Sequence, residues 1–117
     1  MIDEIVYSYM SDALDVPVYM EVPKQLDSGR YVVIERVGMR KSNHVESVSF
    51  AFQSYATDRM LSAALLDEQV RAAAEAMIEL PEVGSVRLES NYNHTDTRTK
   101  WYRYQSIYGV TYVEGSA

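Results

Sequence analysis

His44 and His94 are the first residues of this chain that could do chemistry. Asp96 stands two positions beyond His94, and imidazole with carboxylate can hold a divalent cation. Each histidine, however, sits among turn-forming polar residues, after Asn43 and after Asn93, where a polar side chain needs no ligand to account for it. Neither is expected to bind metal. A serine or threonine nucleophile would need a base and an orienting acid, and no Gly-x-Ser-x-Gly or comparable spacing occurs. The 5 glycines are scattered singly and make no phosphate-cradling loop, and with no cysteine there are no disulfides or thiolate metal sites. The residues read as those of a protein that is not an enzyme and takes no cofactor.

Lys100 to Tyr104, KWYRY, interleaves aromatic and cationic side chains, the pattern in which bases stack on a sheet while phosphates meet Arg or Lys. A net charge of −6 and a sequence pI near 4.8 argue against a polyanion-gripping surface, because such binding draws on clustered basic residues. The alternative is cross-strand packing. Tyr102, Tyr104, Tyr108, Val110 and Tyr112 then share one face of a strand, and Trp101, Arg103, Gln105 and Ile107 share the other. A sheet with one face under helices has no internal reason to carry large groups on both faces, so one face is expected to meet another protein chain. Two structural uses stay open beside that one: Trp101 closing the sheet edge, and Arg103 pairing with Glu89 across a hairpin.

The elements that must position these residues are legible along the chain. Thr57 to Leu80 is alanine-rich, free of Gly and Pro, and closed by Pro81, which predicts a long helix with Thr57 or Asp58 as its N-cap. Leu66, Val70, Ala73, Met77 and Leu80 form its apolar stripe, while Asp67, Glu68, Arg71, Glu75 and Glu79 fall mostly on the opposite side. Ile2 to Leu14, with Ile2, Ile5, Val6, Tyr9, Ala13 and Leu14 at helical spacing, predicts a second, shorter helix ended by Val16-Pro17. Val18 to Val22, between two prolines, reads as an edge strand. Lys24 to Gly29 is a polar turn, Arg30 to Val37 a strand, Gly38 to Asn43 a turn, and His44 to Tyr55 a strand alternating Val48, Phe50 and Phe52 against Ser47, Ser49 and Gln53. Ser85 to Tyr92 and Thr99 to Val113 predict a final hairpin around the loop Asn93 to Arg98, with Glu114 to Ala117 as a fraying end.

The order helix, strand, strand, strand, helix, strand, strand predicts an α+β fold, two helices on one face of a mostly antiparallel sheet, in a single domain spanning residues 1–117. The long helix should pack on Val33, Val48, Phe50, Phe52 and Val86. At 117 residues, 47% hydrophobic and 24% charged, the chain suits one core. It has neither an apolar run long enough for a bilayer nor the features of a signal peptide, so a cytosolic protein is expected. The 10 tyrosines, large apolar bodies with polar tips, suit strand packing or an adhesive surface.

VSFAFQSYATDR leading into an alanine-rich helix, followed by VRLESNYNHTDTRTKWYRYQSIYGVTY, resembles the tail terminator proteins of long-tailed bacteriophages and prophages. The resemblance covers most of the chain. Its most specific pieces are Gln53-Ser54-Tyr55-Ala56, the loop residues Tyr92-Asn93 with Thr95-Asp96, and Tyr102-Arg103-Tyr104-Gln105. It implies a small α+β subunit, without cofactor, that assembles with itself as a ring of six at the head-proximal end of the tail tube. There it would stop tube growth and dock the head connector or a head-completion protein, in the virion after assembly in the host cytoplasm. DNA would pass the pore without specific binding, and an acidic subunit would repel it. A head-to-tail ring uses two different patches on each subunit. The candidate contacts with the neighbouring subunit or the tube are Trp101, Arg103, Tyr92, Asn93, Asp96 and Arg98 around the final hairpin, and Arg40 and Lys41 in the Gly38 to Asn43 turn. Another neck or head-completion protein of the same particle is a neighbouring reading. A cytosolic ligand-binding or accessory domain, with the aromatic strand lining a pocket, is the reading from a different class.

Overall fold

The computed structural model describes residues 1–23, 29–42, 45–96, 98 and 101–112. The chain runs α1 Ile2–Ala13, β1 Val18–Tyr19, β2 Arg30–Ser42, β3 Val45–Ala56, α2 Met60–Glu75 with a 3-10 turn Ala76–Glu79, β4 Val83–Asn93 and β5 Tyr102–Tyr112. The five strands form one sheet in the order β1-β2-β3-β5-β4. The α+β architecture and its element order are as predicted. Pairing is antiparallel except between β1 and β2, which are parallel, with Val18 opposite Val32. Because β5 lies antiparallel between β3 and β4, those two run in the same direction, and α2 carries the chain from one to the other.

The period-2 pattern of the strands decides which side chains meet the helices. Val32, Ile34, Val48, Phe50, Phe52, Tyr108 and Val110 are fully buried and form one core with Ile2, Val6 and Met10 of α1 and Leu66, Val70, Ala74 and Met77 of α2. Ala73, Leu80 and Val86 pack on its margin. The helix stripe is therefore correct, but Val33 is not its partner. It stands opposite Gln53 and joins Tyr31, Tyr55 and Trp101 in a small second cluster. A one-residue shift in a strand exchanges faces, so Val32 and Ile34 hold the core positions.

Other boundaries differ for local reasons. Thr57 does not cap α2: its hydroxyl accepts the Gly29 N–H at 2.8 Å and its own N–H donates to the Gly29 carbonyl at 3.3 Å, extending the β2–β3 ladder. Asp58 does not cap it either, since its carboxylate accepts the Ser62 hydroxyl at 2.8 Å, and the N-cap is Arg59 without a side-chain bond. The helix then tightens into the 3-10 turn just before Pro81. The strand expected over Val18 to Val22 is only two residues long. No turn occurs at Gly38: an irregularity in register between Arg36 and Gly38 absorbs the extra residue, and β2 continues to Ser42. The polar turn at Lys24 to Ser28, residues Asn43, His44, Thr99 and Lys100, and the terminal segment from Val113 lie outside the described residues.

Asp67 is the largest departure. Expected on the solvent side, it is 2% exposed and sits under α2 against the sheet. Both its carboxylate oxygens accept from Asn91 Nδ2 of β4, at 3.0 and 3.2 Å, Arg71 Nε donates at 3.0 Å, and the Ser106 hydroxyl donates at 3.4 Å. A buried carboxylate is tolerated there because donors from one helix and two strands surround it.

Candidate assembly surface

Both helices pack on one face of the sheet, and among the described residues no helix lies on the other. That outer face carries Tyr31 and Val33 from β2, Gln53 and Tyr55 from β3, Arg103, Gln105 and Ile107 from β5, and Tyr92 from β4. The face assignment made for β5 from alternation holds. Tyr31 and Tyr55 occupy directly opposed positions and stack with ring centres 4.7 Å apart and an 8° interplanar angle, while Tyr19 meets Tyr31 edge-on at 5.9 Å. The half-buried Trp101, just before β5 and bridged to Asp96, packs against this cluster.

Side chains here form a directional hydrogen-bond chain across three strands. Arg103 NH1 donates to the Tyr55 hydroxyl at 2.9 Å, Tyr55 donates to Gln53 Oε1 at 3.3 Å, Gln53 donates to Gln105 Oε1 at 3.1 Å, and Gln105 donates to the Tyr92 hydroxyl at 2.7 Å. Arg103 starts the chain as a donor and Tyr92 ends it as an acceptor, while Tyr55, Gln53 and Gln105 each accept and donate along one direction, so the bonds polarise one another and hold the side chains in place. The Arg103 guanidinium also lies 5.5 Å from the centre of the Tyr55 ring, and its Nε points to the His94 carbonyl at 3.4 Å. Burial raises the Tyr31 hydroxyl to a pKa of about 12, with Tyr55 adding to the shift and the nearby Arg103 charge opposing it.

Arg103 does not pair with Glu89. Glu89 accepts the Ser49 hydroxyl at 2.8 Å and faces Arg87 at 3.7 Å, lying against Gly109 nearer the other end of the sheet. Val22, Tyr55, His94, Asp96, Trp101 and Arg103 line an open cleft of about 360 Å³. His94 stands edge-on to Tyr92 with ring centres 5.3 Å apart, and Asp96 accepts the backbone N–H of Arg98 at 2.9 Å. Among the described residues no three His, Cys, Asp or Glu side chains come together as a metal would require. His44 is not among those residues.

The candidate contacts thus fall into two groups. Trp101, Arg103, Tyr92, Asp96 and the highly exposed Arg98 cluster at one end. Asn93 is used internally, its Oδ1 accepting the Thr95 N–H at 3.0 Å and its Nδ2 pointing to the Met60 sulfur at 3.4 Å. Arg40 and Lys41 lie at the other end. Arg40 stands opposite Ser47 and lines a groove with Ser47, Ser49, Gly109 and Thr111, and Lys41 pairs with the buried Glu46 at 3.7 Å. Eight residue steps along β3 lead from Ser47, opposite Arg40, to Tyr55, opposite Arg103, a distance of about 26 Å at the rise of a β-strand. Sequence reasoning missed Tyr31, Tyr55 and Val22 as members of the first group. The alternation that set Ser49 and Gln53 on the outer face would have carried Tyr55 with them.

Comparison with protein-family models and with curated proteins yields no match to this chain.

Proposed function

We propose that this chain is a structural subunit that binds copies of itself head to tail, as a ring closing the head-proximal end of a phage tail tube and meeting the head connector. The observation that supports this reading is the uncovered sheet face, where Trp101 and Arg103 sit on a tyrosine stack locked by the Arg103–Tyr55–Gln53–Gln105–Tyr92 chain. An interface whose side chains are already ordered loses little conformational entropy on binding, and Trp, Tyr and Arg are the residue types that dominate interface hot spots. The Arg40 end, about 26 Å away along the strands, offers the second patch that a heterologous contact needs. The resemblance to tail terminators supplies the identity of the partners.

Light scattering coupled to size-exclusion chromatography, with electron microscopy of the protein mixed with tail tubes, tests the proposal. Concentration-dependent rings and capped tube ends are expected. Tubes that lengthen unchecked at saturating protein, with the chain monomeric throughout, would remove it. The 360 Å³ cleft favours one other reading, an accessory domain binding a small ligand, for which a stable monomer with a saturable site is the distinguishing result.

A further inference from the structure

The chemistry of the cleft beside Trp101 defines what it would accept. Seventeen acidic residues stand against 11 basic ones in the chain, and Arg36, Lys41, Arg71, Arg87 and Arg98 each face a carboxylate. Arg103 differs. Among the described residues the hydrogen-bond partners of its guanidinium are the Tyr55 hydroxyl and the His94 carbonyl, both neutral. A guanidinium has five N–H donors, and holding it half-buried without an anion leaves its charge uncompensated. Asp96, which also lines the cleft, faces Arg98 Nε at 3.8 Å as well as accepting its backbone N–H, so its charge is offset locally. Val22 and the rings of Trp101 and Tyr55 supply apolar walls.

We propose that this cleft is a socket for a carboxylate carried on an apolar or aromatic stem, with the Arg103 guanidinium as the anchor and Trp101, Tyr55 and Val22 as the walls. The inference rests on the assembly reading in that a protein partner would present such a group, as an acidic side chain or as a chain terminus. Binding of the isolated group requires no ring.

Trp101 is the only tryptophan in the chain, so its fluorescence reports on the cleft directly. Titration with 3-phenylpropionate is expected to give a saturable change that 3-phenylpropionamide, the neutral isostere, does not. Arg103→Gln should weaken the response about tenfold or more, and Arg103→Lys, which keeps the charge but not the fork, should fall between. A response equal for acid and amide, or none for either, overturns the proposal on the wild-type protein alone, whatever the variants' folding. Peptides then separate the sources: a free C-terminal phenylalanine competing with the probe identifies a terminus, and an amidated peptide carrying an internal glutamate identifies a side chain. Oligomeric state read on the same samples keeps the two readings apart. Carboxylate binding by a protein that never assembles sinks the ring and leaves the socket, whereas rings formed by a protein whose tryptophan fluorescence does not distinguish acid from amide sink the socket and leave the ring.

Discussion

Asn91 on β4 reaches under α2 so that its amide nitrogen lies 3.0 and 3.2 Å from the two carboxylate oxygens of Asp67. This tie joins the helix to the far edge strand, and Ser106 of β5 donates to the same carboxylate. Asp67→Ala should cost about 1 to 3 kcal/mol, because the buried Ser106 hydroxyl loses its acceptor and the ties from Asn91 and Arg71 to the helix are removed. Chemical denaturation measures it. An Asp67→Ala protein as stable as the parent would mean that this network contributes nothing net.

Val70 is fully buried at the centre of the helix–sheet contact. Val70→Asp places an unpaired carboxylate there and should remove several kcal/mol from a stability of about 5 to 15 kcal/mol, enough to leave much of the chain unfolded at 37 °C. Circular dichroism melting decides it, and an unchanged midpoint would contradict the packing.

The buried Tyr31 hydroxyl makes no hydrogen bond within the described residues. Tyr31→Phe should therefore be neutral or slightly stabilising near pH 7, unlike most core changes, since it removes a polar group rather than a bond. The pH dependence has a definite sign. The folded-state pKa of Tyr31 is raised from 10.0 to about 12, so its contribution is fully present below pH 10 and is lost as the pH climbs from 10 to 12 while the unfolded chain ionises first. Tyr108, held by burial and by its 2.7 Å bond to Glu75, is raised as well and acts in the same direction. Unfolding followed between pH 9 and 12 should show stability falling in the wild type and falling less steeply in Tyr31→Phe. Parallel curves would show that Tyr31 ionises alike in both states.

Trp101→Ala should cost about 1 kcal/mol of stability, because the ring is only half-buried on Tyr31, Val33 and Tyr55, and under the assembly reading it should abolish rings at protein concentrations where the parent forms them. Arg103→Glu and Arg40→Glu should each block assembly from opposite ends of the sheet. Mixing those two variants should restore one intact junction and yield dimers without rings, as a heterologous contact requires. Rings formed by Arg40→Glu alone would take the far patch out of the interface.

Much of this architecture is written in local periodicities. The 3.6-residue stripe through Leu66, Val70 and Met77 and the alternation of Val48, Phe50 and Phe52 were enough to establish the helix, the strand and the faces that meet. The two faces of β5 followed from the same period-2 rule. Boundaries were harder to read, because competing partners settle them: Gly29 takes Thr57 into the sheet, and the irregularity at Arg36/Gly38 lets β2 run past a glycine that resembles a turn.

What the chain alone could not reveal is which distant residues satisfy one another. Asp67 reads as solvent-facing on a helical wheel. Only β4 and β5, folded beneath the helix, bring the Asn91 and Ser106 donors that make its burial tolerable. Likewise Arg103 could have reached Glu89 along its own hairpin, yet the sheet order places Tyr55 of β3 directly opposite it. Local sequence thus determined the elements and their apolar faces, since periodicity is carried by neighbours in the chain. Tertiary structure decided the polar partnerships, because a hydrogen bond depends on the position of two particular atoms and those atoms come from strands 48 residues apart.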